Sequence, residues 1–149
     1  MGADSRTVTT TVPVSSSPER VLRAFVDPDD LRGWWKVSRS LAEDRPGGVW
    51  SVAWDDFGEE RTHHAWVGVV EERAPRRLLV APLVMIEPQR PLFGPMRLEV
   101  VATPAAVGTS LTVSHHGYRR GEHWDWIHDA VVVGWRHVLA DLREWLASP

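Results

Sequence analysis

The chain has 149 residues, of which 43% are hydrophobic and 25% charged, with a formal charge of −3; that is the make-up of one globular domain, spanning residues 1–149, with enough chain to bury a core. No broad basic field is present to attract nucleic acid or anionic lipid. The absence of cysteine excludes disulfides and thiolate chemistry, and no apolar run reaches the roughly 18 residues of a membrane span.

Residues 7–14 alternate and are rich in Thr and Val, the pattern of a strand. Ser17-Pro18-Glu19 then supplies an N-cap, a first-turn proline and an early acid, so a short helix follows with Val21, Leu22 and Phe25 on one face. Asp27-Pro28 stops it. Asp27 caps a second short helix with Asp30 at the capping-box position, and Leu31, Trp34 and Trp35 share its apolar face.

Pro46-Gly47-Gly48 marks a turn into a strand over residues 49–55, with Trp50, Val52 and Trp54 on one side. Asp56-Phe57-Gly58 reads as a turn. Residues 61–72 form the next strand, with His64, Trp66, Gly68 and Val70 on one face. After the turn at Ala74-Pro75-Arg76, residues 78–86 make an apolar strand. The prolines and glycine of residues 87–95 predict a loop that displays Leu92 and Phe93 as a lid or contact surface, or folds back on the sheet. Residues 96–103 and 109–116 are a last pair of strands.

From Glu122 to Ala147 the period changes to that of a helix, and Trp124, His128, Val131, Trp135, Val138, Leu142 and Trp145 trace one stripe. Acids in its first half and Arg136 and Arg143 in its second suit the helix dipole. Short turns between consecutive strands favour an antiparallel meander with this helix covering one face.

Five of these pieces, in this order, resemble the activator of heat-shock protein 90 ATPase homologue-like family of the START-like (SRPBCC) superfamily. They are the run from Asp27-Pro28 to Trp34-Trp35, Gly47-Gly48 opening a strand, Gly68-Val69-Val70-Glu71-Glu72 leading to Pro75-Arg76-Arg77-Leu78, Gly108-Thr109-Ser110-Leu111-Thr112-Val113, and Gly134-Trp135 with Leu139 and Leu142. The resemblance implies an α+β helix-grip fold, a bent antiparallel sheet wrapped around the C-terminal helix with a cavity between them. The wider superfamily binds lipids, sterols and polyketides, and some members are cyclases or hydrolases. The co-chaperones that name the family carry a further N-terminal domain for chaperone binding, for which a chain of 149 residues is expected to have no room.

The side chains with chemistry to offer are the histidines and tryptophans. Adjacent strand residues face opposite ways, so one of each pair His63-His64 and His115-His116 turns inward, and His64 and His115 are favoured. His128 lies on the helix stripe. These three read as buried histidines satisfied by backbone or water, or as contacts to a ligand. No metal-ligand spacing and no nucleophile elbow is present, so no metal, cofactor or catalytic residue is assigned. Trp34, Trp35 and Trp135 read as core. Trp54, His64, Trp66, His115, Trp124, His128 and Val131 are the expected cavity lining.

The expected function is non-enzymatic binding of a small apolar or amphipathic molecule. The alternatives are a protein-interaction module with an exposed apolar patch and a filled interior, and a cyclase-like or hydrolase-like enzyme with a shifted-pKa His or Glu in a pocket. A cytoplasmic, bacterial protein is expected, monomeric or homodimeric, with no nucleic-acid or membrane partner. Lys36 is the only lysine, an arginine bias that fits a GC-rich genome.

Overall fold

The computed structural model describes residues 5–57 and 62–148. The elements run β1 (Arg6–Val14), α1 (Pro18–Arg23), α2 (Pro28–Trp34), β2 (Arg39–Ala42), β3 (Val49–Phe57), β4 (Thr62–Ala74), β5 (Arg77–Ile86), β6 (Phe93–Pro104), β7 (Thr109–Tyr118) and α3 (Glu122–Ala147). All seven strands form one antiparallel sheet in the order β1-β7-β6-β5-β4-β3-β2. From β2 to β7 each strand pairs with its sequence neighbour, and β1 closes on β7 to form the far edge. The curved sheet holds α3 against its inner face, the helix-grip arrangement.

Local chemistry explains the start of the chain. Ser17 accepts a hydrogen bond from the Arg20 N–H at the head of α1, and Asp27 accepts from the N–H groups of Asp29 and Asp30 at the head of α2. Asp30 does not complete a capping box. Its carboxylate instead takes a bidentate pair from Arg20, at 2.7 and 2.9 Å, and the Trp145 indole N–H at 3.2 Å. Burial alone would raise its pKa; these donors, with the charges of Arg20 and Arg23, lower it instead. One carboxylate thus ties α1 and α2 to the end of α3. The Trp145 ring lies over Gly33, where an added Cβ would meet it at 2.4 Å.

Three expectations change, and one strand appears where none was expected. Residues 39–42 are a strand, paired only with β3 and carrying a 62% exposed Leu41. Asp56 and Phe57 continue β3 and are not a turn; Gly58 and Arg61 lie outside the described residues. The predicted loop ends at Leu92, because β6 begins at Phe93. Leu92 is 58% exposed, but Phe93 is buried against Trp124, with ring centroids 5.0 Å apart, so the two are not an exposed pair. The buried line of α3 is Ile127, Trp135, Leu139 and Leu142. Relative to the expected stripe it is rotated toward Leu139, because β1 and α2 hold the helix on that side.

Candidate functional site

The backbone of α3 comes close to β1 and α2 and stands off from β3 and β4. Tryptophans fill most of that gap. Trp35, at the end of α2, stacks on Trp34 at 5.0 Å and meets Trp54, Trp66 and Trp135 at 5.2–5.3 Å. Trp54 and Trp66 come from the inward faces of β3 and β4, and Trp135 from α3. Most of these rings meet edge to face, which their quadrupoles favour. Backbone carbonyls take three of the indole N–H groups: Trp34 donates to Ala24, Trp50 to Phe25 and Trp54 to Trp35.

What the rings leave open is a cavity of about 110 Å³, walled by Trp35, Trp54, His64, Trp66 and Trp135 and, from the flank of α3, by Ala130, Val131, Gly134 and Val138. Its surface is mostly carbon. A wider groove of about 520 Å³ between β1 and the second half of α3 is lined by Thr10, Thr11, Arg136, Arg143 and Glu144 among others. That groove carries Arg136, Arg143 and Glu144 on its wall; the aromatic cavity, whose wall is mostly carbon, has the chemistry of a small-molecule site.

His64 is the polar residue of the cavity wall, and it is held on both sides. Its Nε2 accepts the Trp66 indole N–H at 2.8 Å, and its Nδ1 lies 2.6 Å from Glu87 Oε1. The indole is a donor only, so Nε2 is the bare nitrogen and Nδ1 carries the proton toward the carboxylate. Both His64 and Glu87 are buried, and the imidazole stacks on Trp54 at 5.1 Å. This Glu–His–Trp chain fixes the tautomer and occupies the Nε2 lone pair with the Trp66 indole N–H.

His115 sits behind Trp66, ring centroids 5.0 Å apart, and is fully buried. Tyr118 Oη is 2.8 Å from its Nδ1. Burial, helped by the neighbouring His116, pushes its pKa down to about 3, and burial raises that of Tyr118, so both are neutral near pH 7. His115 Nε2 and Trp135 Nε1 are buried without a hydrogen-bond partner among the described residues.

A family profile described as "Activator of Hsp90 ATPase homolog 1-like protein" matches residues 15–147. The chain belongs to this family. No curated protein matches it. Among solved structures it is similar to protein CV1439 from Chromobacterium violaceum, at 23% identity and a TM-score of 0.74, covering 97% of this chain and 99% of that one. It is similar to protein Ms6760 from Mycobacterium smegmatis at 17% identity and a TM-score of 0.74, covering 96% and 91%. It is also similar to DynU16, from the dynemicin biosynthetic locus, at 20% identity and a TM-score of 0.73, covering 95% of this chain and 47% of that one. At these identities the likeness is one of fold.

In this family member, Trp54, His64, Trp66 and Val131 stand on the cavity wall. Trp124, His115 and His128 do not. They gather around Tyr118, whose ring lies 6.2, 4.9 and 5.5 Å from theirs. The three histidines therefore form no common centre, and no group of three potential metal ligands occurs among the described residues. Trp35, Trp135, Ala130, Gly134, Val138 and the supporting Glu87 were not read from the sequence as part of the site. Glu87 had a signal. The Ala74↔Arg77 pair fixes the β4–β5 register, the shifts between them cancel by Ala65↔Ile86, and the next position sets His64 opposite Glu87.

Proposed function

We propose that this protein binds a small apolar molecule in the cavity between α3 and strands β3 and β4, without catalysing a reaction on it. The observation that carries this reading is an unfilled, carbon-walled space inside an aromatic cluster that is otherwise tightly packed. Burial of ligand carbon against Trp54, Trp66 and Trp135 would supply the affinity, at roughly 25 cal/mol per Å². A catalytic reading has less support. The histidine with the strongly lowered pKa is sealed behind Trp66, and the wall histidine has both nitrogens engaged. We place the protein in the cytoplasm; no helix among the described residues is long and apolar enough to cross a membrane.

The interaction-module reading retains one observation in its favour. Val67, Val69 and Ile86 are exposed on neighbouring positions of the outer face of β4 and β5. An interior with an open cavity argues for the ligand.

The test is an intrinsic-fluorescence titration, since Trp35, Trp54, Trp66 and Trp135 all border the space. The panel is toluene, indole, naphthalene, decanoic acid and cholesterol. Saturable quenching by at least one compound, weakened in Val131→Trp, is the expected result. No saturable response to any compound would sink the binding reading and leave the outer face of β4 and β5 as the place to look for function.

A further inference from the structure

Gly134 lies in the interior of a 26-residue helix, where glycine is among the least favourable residues. Other described glycines have a reason in backbone or packing: Gly47 and Gly121, also with open space at the Cβ position, adopt positive φ, and others are crowded. An added Cβ would come within 2.4 Å of the Trp145 ring at Gly33 and within 2.6 Å of Val80 at Gly68. At Gly134 a Cβ would meet nothing within 4 Å. No neighbour demands the missing side chain. The space in front of Gly134 is the cavity itself, and Ala130, one turn earlier on the same flank, is small as well.

We infer that Gly134 sets the size of the cavity, and that the occupant is an uncharged, flat, single-ring compound, of the benzene or toluene class. This rests on the ligand-binding reading and narrows it. The volume argument comes first. A dry cavity of about 150 Å³ takes benzene, so 110 Å³ with one open side fits one ring with a small substituent and excludes a sterol or fused polycycle. Shape comes second. Trp35, Trp54, Trp66 and Trp135 already pack mainly edge to face, with centroids 5.2–5.9 Å apart, and a flat ring continues that pattern. Charge comes third. The polar wall residue, His64, has its nitrogens engaged by Trp66 and by the buried carboxylate of Glu87. Trp135 Nε1 and His115 Nε2 are closed off. An anionic head group would meet Glu87 across the imidazole and no cation on the wall, which disfavours a fatty acid.

The experiment compares wild type with Gly134→Ala and Gly134→Leu, using toluene, naphthalene, decanoic acid and cholesterol as probes and tryptophan fluorescence as the readout. Circular dichroism melts establish that each variant is folded. The expected result is saturable toluene binding in wild type, with naphthalene, decanoic acid and cholesterol at least about tenfold weaker. Gly134→Ala should weaken toluene by several-fold, and Gly134→Leu by more than about tenfold, with helical content intact. Should Gly134→Leu fail to fold, the Gly134→Ala shift and the wild-type ranking of probes decide alone. Toluene binding unchanged in a folded Gly134 variant would overturn the inference, as would naphthalene or cholesterol binding as tightly as toluene; either result leaves the ligand-binding reading standing. Absence of binding by every probe defeats both.

Discussion

His115 shows what a buried residue does to the pH response of this fold. Its Nε2 has no partner among the described residues, and its Nδ1 meets Tyr118. Protonating it would place a charge among Trp66, Trp135 and the neutral Tyr118, with no anion among the described residues to offset it and with the neighbouring His116 repelling it. The folded pKa of about 3 lies far below the ordinary value of 6.5. Between those values the unfolded chain binds the extra proton and the folded chain does not. The stability that His115 confers is therefore complete above about pH 6.5, and is lost at up to about 1.4 kcal/mol per pH unit as the pH falls toward 3. Guanidinium unfolding at pH 7.5, 6.5, 5.5 and 4.5 checks this. His115→Leu, which leaves the Tyr118 hydroxyl unpaired, should be less stable than wild type at pH 7.5 but show a shallower loss below 6.5. Parallel loss in the two proteins would show that His115 is not the group responsible. Glu87 makes the complementary point. Read alone it is a carboxylate at the mouth of a proline-rich loop, and only the register of β4 against β5 shows that it faces a buried imidazole.

At the scale of elements, legibility followed how strongly each segment declares its own partner. Trp50, Val52 and Trp54 alternate because β3 is buried on one face, and the pattern can be read directly. β2 has four residues, one paired neighbour and an outward Leu41, so nothing in its own sequence announces a strand. Phe93-Gly94-Pro95 looks like loop chemistry, yet Phe93 is drawn into β6 by burial under Trp124. The length of α3 was plain from its period, but its rotation was not. Rotation is set by β1, by α2, and by the anchor that Asp30 and Gly33 offer Trp145. Trp135 is the test of that docking. It is 2% exposed and touches Trp35 from α2, Trp66 from β4 and His115 from β7. Trp135→Ala should cost about 3–5 kcal/mol, as large aromatic truncations do. A loss under about 1 kcal/mol in a denaturant melt would mean that the helix does not rest on this ring.

For the molecule as a whole, the fold and a hollow between sheet and helix were legible, but the size and place of that hollow were not, for a physical reason. Alternation and helical period say which side chains turn inward. They do not say how far apart the two inward surfaces end up, and a cavity is a property of that distance. Trp54, Trp66 and Val131 could be assigned to facing surfaces from the sequence, but the open space lies in front of Gly134, a residue with no side chain to count. The same geometry makes binding a matter of global stability. The cavity walls come from the end of α2, β3, β4 and α3, and all four contribute to the ring cluster at the core. Unfolding any of them destroys the site, so a ligand held there binds the native state alone. At ten times its Kd, such a ligand stabilises the protein by about 1.4 kcal/mol, or roughly 3–6 °C in melting temperature for a chain of this length. A thermal melt with toluene should show that rise in wild type and lose it in Gly134→Leu. A compound that quenches tryptophan fluorescence without raising the melting temperature is not occupying this cavity. Its contact would then be on the surface, where Trp126 stands 43% exposed with the Arg90 guanidinium 3.6 Å above its ring.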